Sequence, residues 1–184
     1  MLKAAVGVLI EHGLSKTTTL EVQKQAAVSR GALLHHFPTH ADLLSKTVNE
    51  LVTLNEQAVW TEAAKLEHLT DPIAKPIWIL ANAYAHPSFG AELELWVASR
   101  SDPTLRKALR AAEKDAVEDH DRVLAKLFGE LPDQPCGQKV IFLTIEFVRG
   151  LAVSTLLRND PRLRNRLIED WIETVRNLLK SETK

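Results

Sequence analysis

The sequence predicts an all-α fold of about nine helices, and three observations carry that prediction. Apolar residues recur at intervals of three to four along most of the chain, and no run of alternating β-branched residues suggests a strand. The dipeptide Asp-Pro occurs at Asp71-Pro72, Asp102-Pro103 and Asp160-Pro161, each time just ahead of a helical run. There the aspartate accepts the exposed first amides of a helix, and the proline fills the first turn without forfeiting a hydrogen bond. At 184 residues, 26% charged and 45% hydrophobic, the chain can bury a full core.

Taken in order, a first helix is expected over Leu2 to His12, stopped by Gly13. Thr18 with Glu21 three residues on is a capping box, so a second helix runs from Thr19 to about Ala26 with Leu20, Val22 and Ala26 inward. Val28 plugs a tight turn. Ser29 caps a third helix over Arg30 to His36, and Pro38 closes it because the residue before a proline is pushed out of helical dihedrals. Two short helices joined by a tight turn make a helix-turn-helix, a geometry whose second helix docks in the DNA major groove. Thr39 and Asp42 repeat the capping pattern and open a long helix from His40 to about Leu66. The Asp-Pro pairs start three more helices, Pro87 precedes another over Ser88 to Ser99, and the loop Gly129 to Gly137 precedes one over Gln138 to Arg158. There is no internal repeat, so the expected division is a head, residues 1–46, and a larger helical body, residues 47–184.

Within the head, Ala26-Ala27-Val28-Ser29-Arg30-Gly31, Leu34-x-His36-Phe37 and Asp42-Leu43-Leu44 stand in the order and spacing of the TetR family of transcriptional repressors, which this segment resembles. Ala4-Ala5 and Glu11-His12-Gly13 fit that family's first helix as well. The resemblance implies a ligand-responsive, dimeric DNA-binding regulator with a double-stranded operator and a small-molecule effector as partners. Arg30, Ala32 and His35 are then the candidates for reading base edges, since the first turn of a recognition helix faces them. Thr18, Ser29 and His36 are candidates for phosphate or backbone contacts, and Thr19, Gly31, Leu34 and His40 complete the set. Four positions depart from the family pattern: Ala27 replaces a turn glycine, Leu34 a tyrosine, His40 a lysine and Gln23 a buried alanine. The tyrosine and lysine contact phosphate in family members. Their replacement motivates a second reading, a helical small-molecule binding protein whose head has weakened or lost DNA affinity. Helix one begins almost at Met1, where the resembled family carries a basic arm.

Charge favours the first reading weakly. Residues 1–46 hold Lys3, Lys16, Lys24, Arg30 and Lys46 against Glu11, Glu21 and Asp42, and four of the seven histidines lie there too. A head relying on phosphate neutralisation would carry more, so affinity should need two copies side by side. No segment reads as a membrane span or signal peptide, because Glu146 and Arg149 interrupt the longest apolar run, and a cytoplasmic location is expected. The single Cys136 reads as a bystander thiol. No Gly-rich phosphate loop, Gly-x-Ser-x-Gly, His-Glu-x-x-His or cysteine pair is present, so no enzyme, cofactor or metal site is expected. His36 and His40 are four apart, but Pro38 breaks their register. The acidic run Glu118 to Asp121 reads as a solvated helix face.

The body carries two further signals. Along the last helix Leu163, Leu167, Trp171, Val175 and Leu178 recur at helical spacing, opposite Arg162, Arg166, Asp170 and Glu173. The helix before it is apolar nearly all round from Val140 to Val153 and must be covered on more than one side. The expected homodimer interface therefore takes Phe147, Gly150 and Leu151 from one helix and that stripe from the other. In the resembled family such a pair forms a four-helix interface, where Gly150 would allow close approach. The second signal is a candidate effector pocket. Trp78, Phe89, Trp96 and Phe142 would line it, with Glu92 or Glu146 as a polar anchor. His120 continues the line Leu105, Leu109, Ala112, Ala116 toward Val123 and Leu127, so it is expected inward and joins the pocket candidates. Glu92 and Glu94 lie roughly 200° apart around their helix, so one of them should point inward. The bland alternative for each aromatic is plain core.

Overall fold

A computed structural model describes residues 1–181, which hold nine α-helices, two 3₁₀ turns and no strand. The helices are α1 (Leu2–His12), α2 (Thr19–Gln25), α3 (Arg30–His36), α4 (His40–Lys65), α5 (Ala74–Ala83), α6 (Pro87–Ala98), α7 (Pro103–Phe128), α8 (Gly137–Thr155) and α9 (Pro161–Ser181). The 3₁₀ turns are Leu14–Lys16 and Leu131–Asp133. All-α architecture is thus found as expected, with most boundaries within two or three residues of the sequence reading. No helix among the described residues is long and apolar enough to cross a membrane.

Local capping accounts for the starts. Asp102 Oδ1 accepts the amides of Thr104 (2.9 Å) and Leu105 (3.0 Å), and Asp160 Oδ1 those of Arg162 (3.1 Å) and Leu163 (3.0 Å). Asp71 Oδ1 takes Ile73 (2.9 Å) and Ala74 (2.7 Å). Thr39 and Asp42 close a reciprocal box, each side chain accepting the other's amide at 3.1 Å. At Thr18 the box is half closed. Thr18 Oγ1 accepts the Glu21 amide at 3.2 Å, but the Thr18 amide is taken by the Lys16 carbonyl and the Glu21 carboxylate turns to Lys24.

The chain forms two compact units, residues 1–55 with 87–118 and residues 56–86 with 119–184. Helices α4 and α7 each supply their first part to one unit and their second to the other, so these units cut the chain elsewhere than a functional division at residue 46. The first unit has two apolar clusters. One joins Ala5 and Val8 of α1 to Val22, Leu33, Phe37 and Leu43, and the other joins Val6 and Leu9 to Leu44, Val48, Leu51, Ala91, Leu95, Leu105 and Leu109. Alternate residues of α1 thus serve two cores. The second unit packs α5, α8 and α9 around Ile77, Ile79, Leu80, Val140, Ile145, Val148, Ile168, Ile172 and Val175. Arg164 of α9 donates to the Ala81 carbonyl (2.8 Å) and Asn82 Oδ1 (2.9 Å), placing a cation at the C-terminal end of α5 where the helix dipole favours it. Before α8, a Cβ on residue 137 would fall 1.8 Å from the Leu131 carbonyl oxygen, so only glycine fits there.

Leu20 corrects one expectation. It is 58% exposed, because the short α2 turns Val22 inward and has no second buried face.

The end of α2 yields a prediction. The Val28 amide bonds the Gln23 carbonyl (3.2 Å) and the Ala27 amide that of Lys24 (3.1 Å), a Schellman ending that puts residue 27 in the left-handed region, at φ 53°. An L-residue there is strained by about 1–2 kcal/mol, partly offset for glycine by about 0.4–1 kcal/mol of extra unfolded-state entropy. Ala27→Gly should therefore raise stability by about 0.5–1 kcal/mol and the melting temperature by roughly 1–4 °C, read by calorimetry.

Asp71 yields another. The Ala74 amide, joined by the Ile73 amide and by Arg176 (Nη2 to Oδ2 2.5 Å), holds its carboxyl below the usual range against a partial desolvation that raises it. A native pKa below the unfolded value of about 4 gives stabilisation that is complete above that value and lost as pH falls through the native one. Asp71→Asn should therefore lower the melting temperature more at pH 7 than at pH 3; an equal loss at both would remove the charge from the account.

Candidate nucleic-acid interface

The geometry is built on α3, which Ser29 opens by accepting the Ala32 amide at 3.1 Å. Leu33 is its one buried residue, so Arg30, Gly31, Ala32, Leu34, His35 and His36 all face solvent. Phe37 follows, buried beside Leu33, and fixes the exit of the helix. His35 and His36 meet edge to face at 5.5 Å between ring centroids, and the His36 ring lies tilted over Phe37. Arg30 makes no ion pair among the described residues and leaves its guanidinium available. Thr18 is exposed at the start of α2, with Thr19 half-buried beside it. The predicted DNA-facing residues thus lie on α3 and at the start of α2, exposed apart from the half-buried Thr19, with one difference. His40 Nε2 lies 2.6 Å from the Thr17 carbonyl, so the imidazole that replaces the family lysine braces the start of α4 against the loop entering α2.

The pocket candidates divide between the units and are described within each. In the first, Glu92 of α6 is the inward carboxylate of its pair, half-buried and accepting Asn55 Nδ2 at 2.5 Å, while Ser88 Oγ donates to Asn55 Oδ1 at 2.6 Å. Phe89 is buried. Trp96 borders an open hollow of about 240 Å³ with Ser99, Arg106, Leu109, Arg110 and Glu113, where Arg106 is held by the carbonyls of Ser99 (3.0 Å) and Arg100 (2.5 Å). In the second unit, Trp78 packs half-buried on the core. His120 is exposed rather than inward, although Ala112 before it and Val123 after it on the same line are both buried. Desolvation by crowding neighbours and the Arg149 guanidinium nonetheless lower its pKa, against Asp121, which raises it. Phe142 is 70% exposed and Glu146 pairs with Arg149 at 2.5 Å, so neither is enclosed. Among the described residues no cluster of histidine, cysteine and acidic side chains could hold a metal ion.

The interface candidates need the same sorting. Leu151 and Val175 lie in the core of their own unit and cannot meet a partner. The outer line of α8 is Phe142, Glu146, Gly150 and Val153, and Leu157 follows two residues past its end, all exposed. On α9, Leu167 and Leu178 are exposed and Leu163 and Trp171 half-buried, with Phe147 stacked on Trp171 at 5.1 Å and Trp171 Nε1 donating to Thr144 Oγ1 at 3.1 Å. The sequence reading covers Val153, within the segment Val140 to Val153 that must be buried on more than one side, but misses Asn55 and Leu157. Continuing the steps of three and four from Gly150 past the end of α8 reaches Leu157. Asn55 has no local signal, since its partners lie 33 and 37 residues away.

Comparison with known proteins agrees with this geometry. A family model for bacterial regulatory proteins of the tetR family matches residues 1–47. The chain is 32% identical over 174 residues to the HTH-type transcriptional regulator CymR of Pseudomonas putida, covering 92% of this chain and 86% of that one. Among solved structures, it is similar to a transcriptional regulator from Rhodococcus sp. Rha1 with a TM-score of 0.66 at 21% identity, over 95% of this chain and 92% of that one. It is also similar to the multidrug binding protein EbrR complexed with imidazole, with a TM-score of 0.63 at 18% identity over 94% and 90% of the two chains.

Two substitutions test the head. Arg30→Ala should weaken specific DNA binding by roughly 1–3 kcal/mol, the worth of one good base contact. Leu34→Tyr should add a phosphate contact and steepen the log–log salt dependence by about 0.9. Both are read by anisotropy titrations at several salt concentrations, and an unmoved slope in the second would mean that residue 34 does not meet the backbone.

Proposed function

The chain belongs to the tetR family of bacterial regulatory proteins, and from that premise we propose that it is a cytoplasmic, homodimeric repressor released from a palindromic operator by a small apolar or aromatic effector. The observation that carries the reading is α3, a seven-residue helix that buries Leu33 and turns every other side chain to solvent. A helix so anchored is built to present itself. Arg30, Ala32 and His35 read base edges, and Thr18, Thr19, Ser29 and His36 hold the DNA backbone. Residues 1–46 act as the DNA-binding domain and 47–184 as the ligand-binding and dimerisation domain. Two recognition helices then address half-sites roughly 34 Å apart, so a small change in their separation weakens binding.

The outer face of α8 supports the dimer. Phe142 and Val153 expose a stripe that Leu157, just past the end of the helix and 93% exposed, extends, and Gly150 has open space above it where a second copy can approach. Phe142 accordingly belongs to the interface in this reading rather than to the pocket. The effector class is supported by EbrR, solved with imidazole, proflavin and ethidium. In this chain α6 would meet such a ligand through Phe89 and Trp96, with Glu92 as the polar anchor. A ligand that binds the DNA-free state raises the melting temperature and lowers DNA affinity together, since one coupled equilibrium governs both.

The decisive experiment is an anisotropy titration against the DNA flanking the protein's own gene. Salt-dependent, sequence-specific binding is expected. Gly150→Glu is the matching variant for the dimer, because nothing lies within 4 Å of a Cβ built there and the protomer is left intact. It should sediment as a monomer at micromolar concentration and lose operator binding. A parent protein that is itself monomeric at that concentration would overturn both the dimer and the palindromic operator.

A further inference from the structure

We infer that Glu94 is a positioning residue for DNA binding, a carboxylate on α6 that grips the loop entering the helix-turn-helix; the inference rests on the DNA-binding reading above. Gly13 ends α1 with φ 77°, and the Leu14 amide that follows donates to Glu94 Oε1 at 2.8 Å across 80 residues of sequence. The two carboxylate oxygens would stand 3.1 and 3.2 Å from a Cβ on residue 13, so the group lies close against the glycine and would have to shift by a few tenths of an ångström to admit a side chain there. Gly13 in turn accepts Thr17 Oγ1 at 2.9 Å, and the fully buried Thr17 offers its carbonyl to His40 Nε2 at 2.6 Å. The next residue, Thr18, caps α2. Residues 13–17 are therefore held at one end by α6 and at the other by the first residue of α4, and they hand their position directly to the helix-turn-helix.

What fixes the carboxylate is the seat of α6 itself. Ala91 and Leu95 flank Glu94 and are buried with Val6 and Leu9 of α1. Two residues away, on the opposite side of α6, Glu92 is bonded to Asn55 of α4. A displacement of α6 consequently reaches the head along residues 13–17, a route separate from the length of α4. Because the bond joins an ionised acceptor to a backbone amide, it is stronger than a neutral one even where it is partly exposed.

Amide hydrogen exchange with parallel DNA titration tests this on the full chain. In Glu94→Ala, exchange at Leu14 should rise about tenfold, the protection a charge-assisted hydrogen bond supplies. The rise should spread to residues 18–25, and affinity for DNA flanking the gene should fall severalfold while affinity for unrelated DNA stays unchanged. Glu94→Gln, which keeps an acceptor oxygen, should restore most of both. Gly13→Ala should reproduce the loss with Glu94 intact. Unchanged Leu14 exchange in Glu94→Ala overturns the inference, and so does raised exchange with unchanged specific affinity. If the parent protein binds no DNA and the exchange responds as described, the DNA-binding reading fails, and with it the role assigned to the grip, although the grip is real.

Discussion

A seven-residue helix cannot hold itself together in water, and α3 is that short. Its existence depends on Leu33 entering a cluster of Ala5, Val8, Val22, Phe37 and Leu43, a burial worth about 1.5–3 kcal/mol for one leucine. Three helices supply that socket besides α3 itself. Because α1 also feeds the second cluster through Val6 and Leu9, the recognition helix is supported on a layer continuous with α4, α6 and the first part of α7. The small head is stable only as the end of a larger unit, which is why its compact boundary runs well past residue 46.

The second unit meets the opposite problem. Helix α8 carries more apolar surface than its neighbours in the chain can cover. Val140, Ile141, Thr144, Ile145, Val148, Leu151 and Ala152 fill the inner face, and Phe142, Gly150 and Val153 remain outside, as does Leu157 just past the end of the helix. The amphipathic α9 is seated beside it through the Phe147–Trp171 stack and the bond from Trp171 to Thr144. Exposed apolar surface of this extent is unfavourable in a monomer and stabilising once a partner covers it.

These two cases separate what sequence could tell from what it could not. The caps at Ser29, Thr39, Asp71, Asp102 and Asp160 were legible because each bonds an amide two or three residues away, inside the window in which a sequence is read. The extent of α3 is legible for the same reason, from its Ser29 cap and the proline that closes it, whereas the burial of Leu33 emerges only in the structure. Face assignment on α8 was not. A helix apolar all round gives no phase, so Leu151 was assigned outward and Phe142 inward, each the reverse of its place. Val175 fell on the correct stripe, but on the side that faces the core. His120 lies exposed between buried Ala112 and buried Val123, so a place on an apolar line does not by itself fix the burial of every residue along it. His40 occupied a position the resemblance marked for phosphate, and its bond to Thr17 depends on a loop whose path no local pattern specifies. The contacts of Glu94 and Asn55 span 80, 37 and 33 residues and left no trace in spacing at all.

The charge of the head bears on why positioning should matter so much here. Of the five cations in residues 1–46, Lys24 is already engaged with Glu21, and the family's phosphate-contacting tyrosine and lysine stand as Leu34 and a braced His40. Non-specific affinity scales with the number of phosphates neutralised, so one such head is a weak binder. In the proposed dimer the second head adds its contacts at high effective concentration, but only if both recognition helices reach their half-sites at once. A head poor in charge thus depends on geometry for its affinity. Loosening the segment that sets the angle of α2 and α3 would then reduce binding more than it would in a head carrying many lysines, whose electrostatic attraction tolerates misplacement.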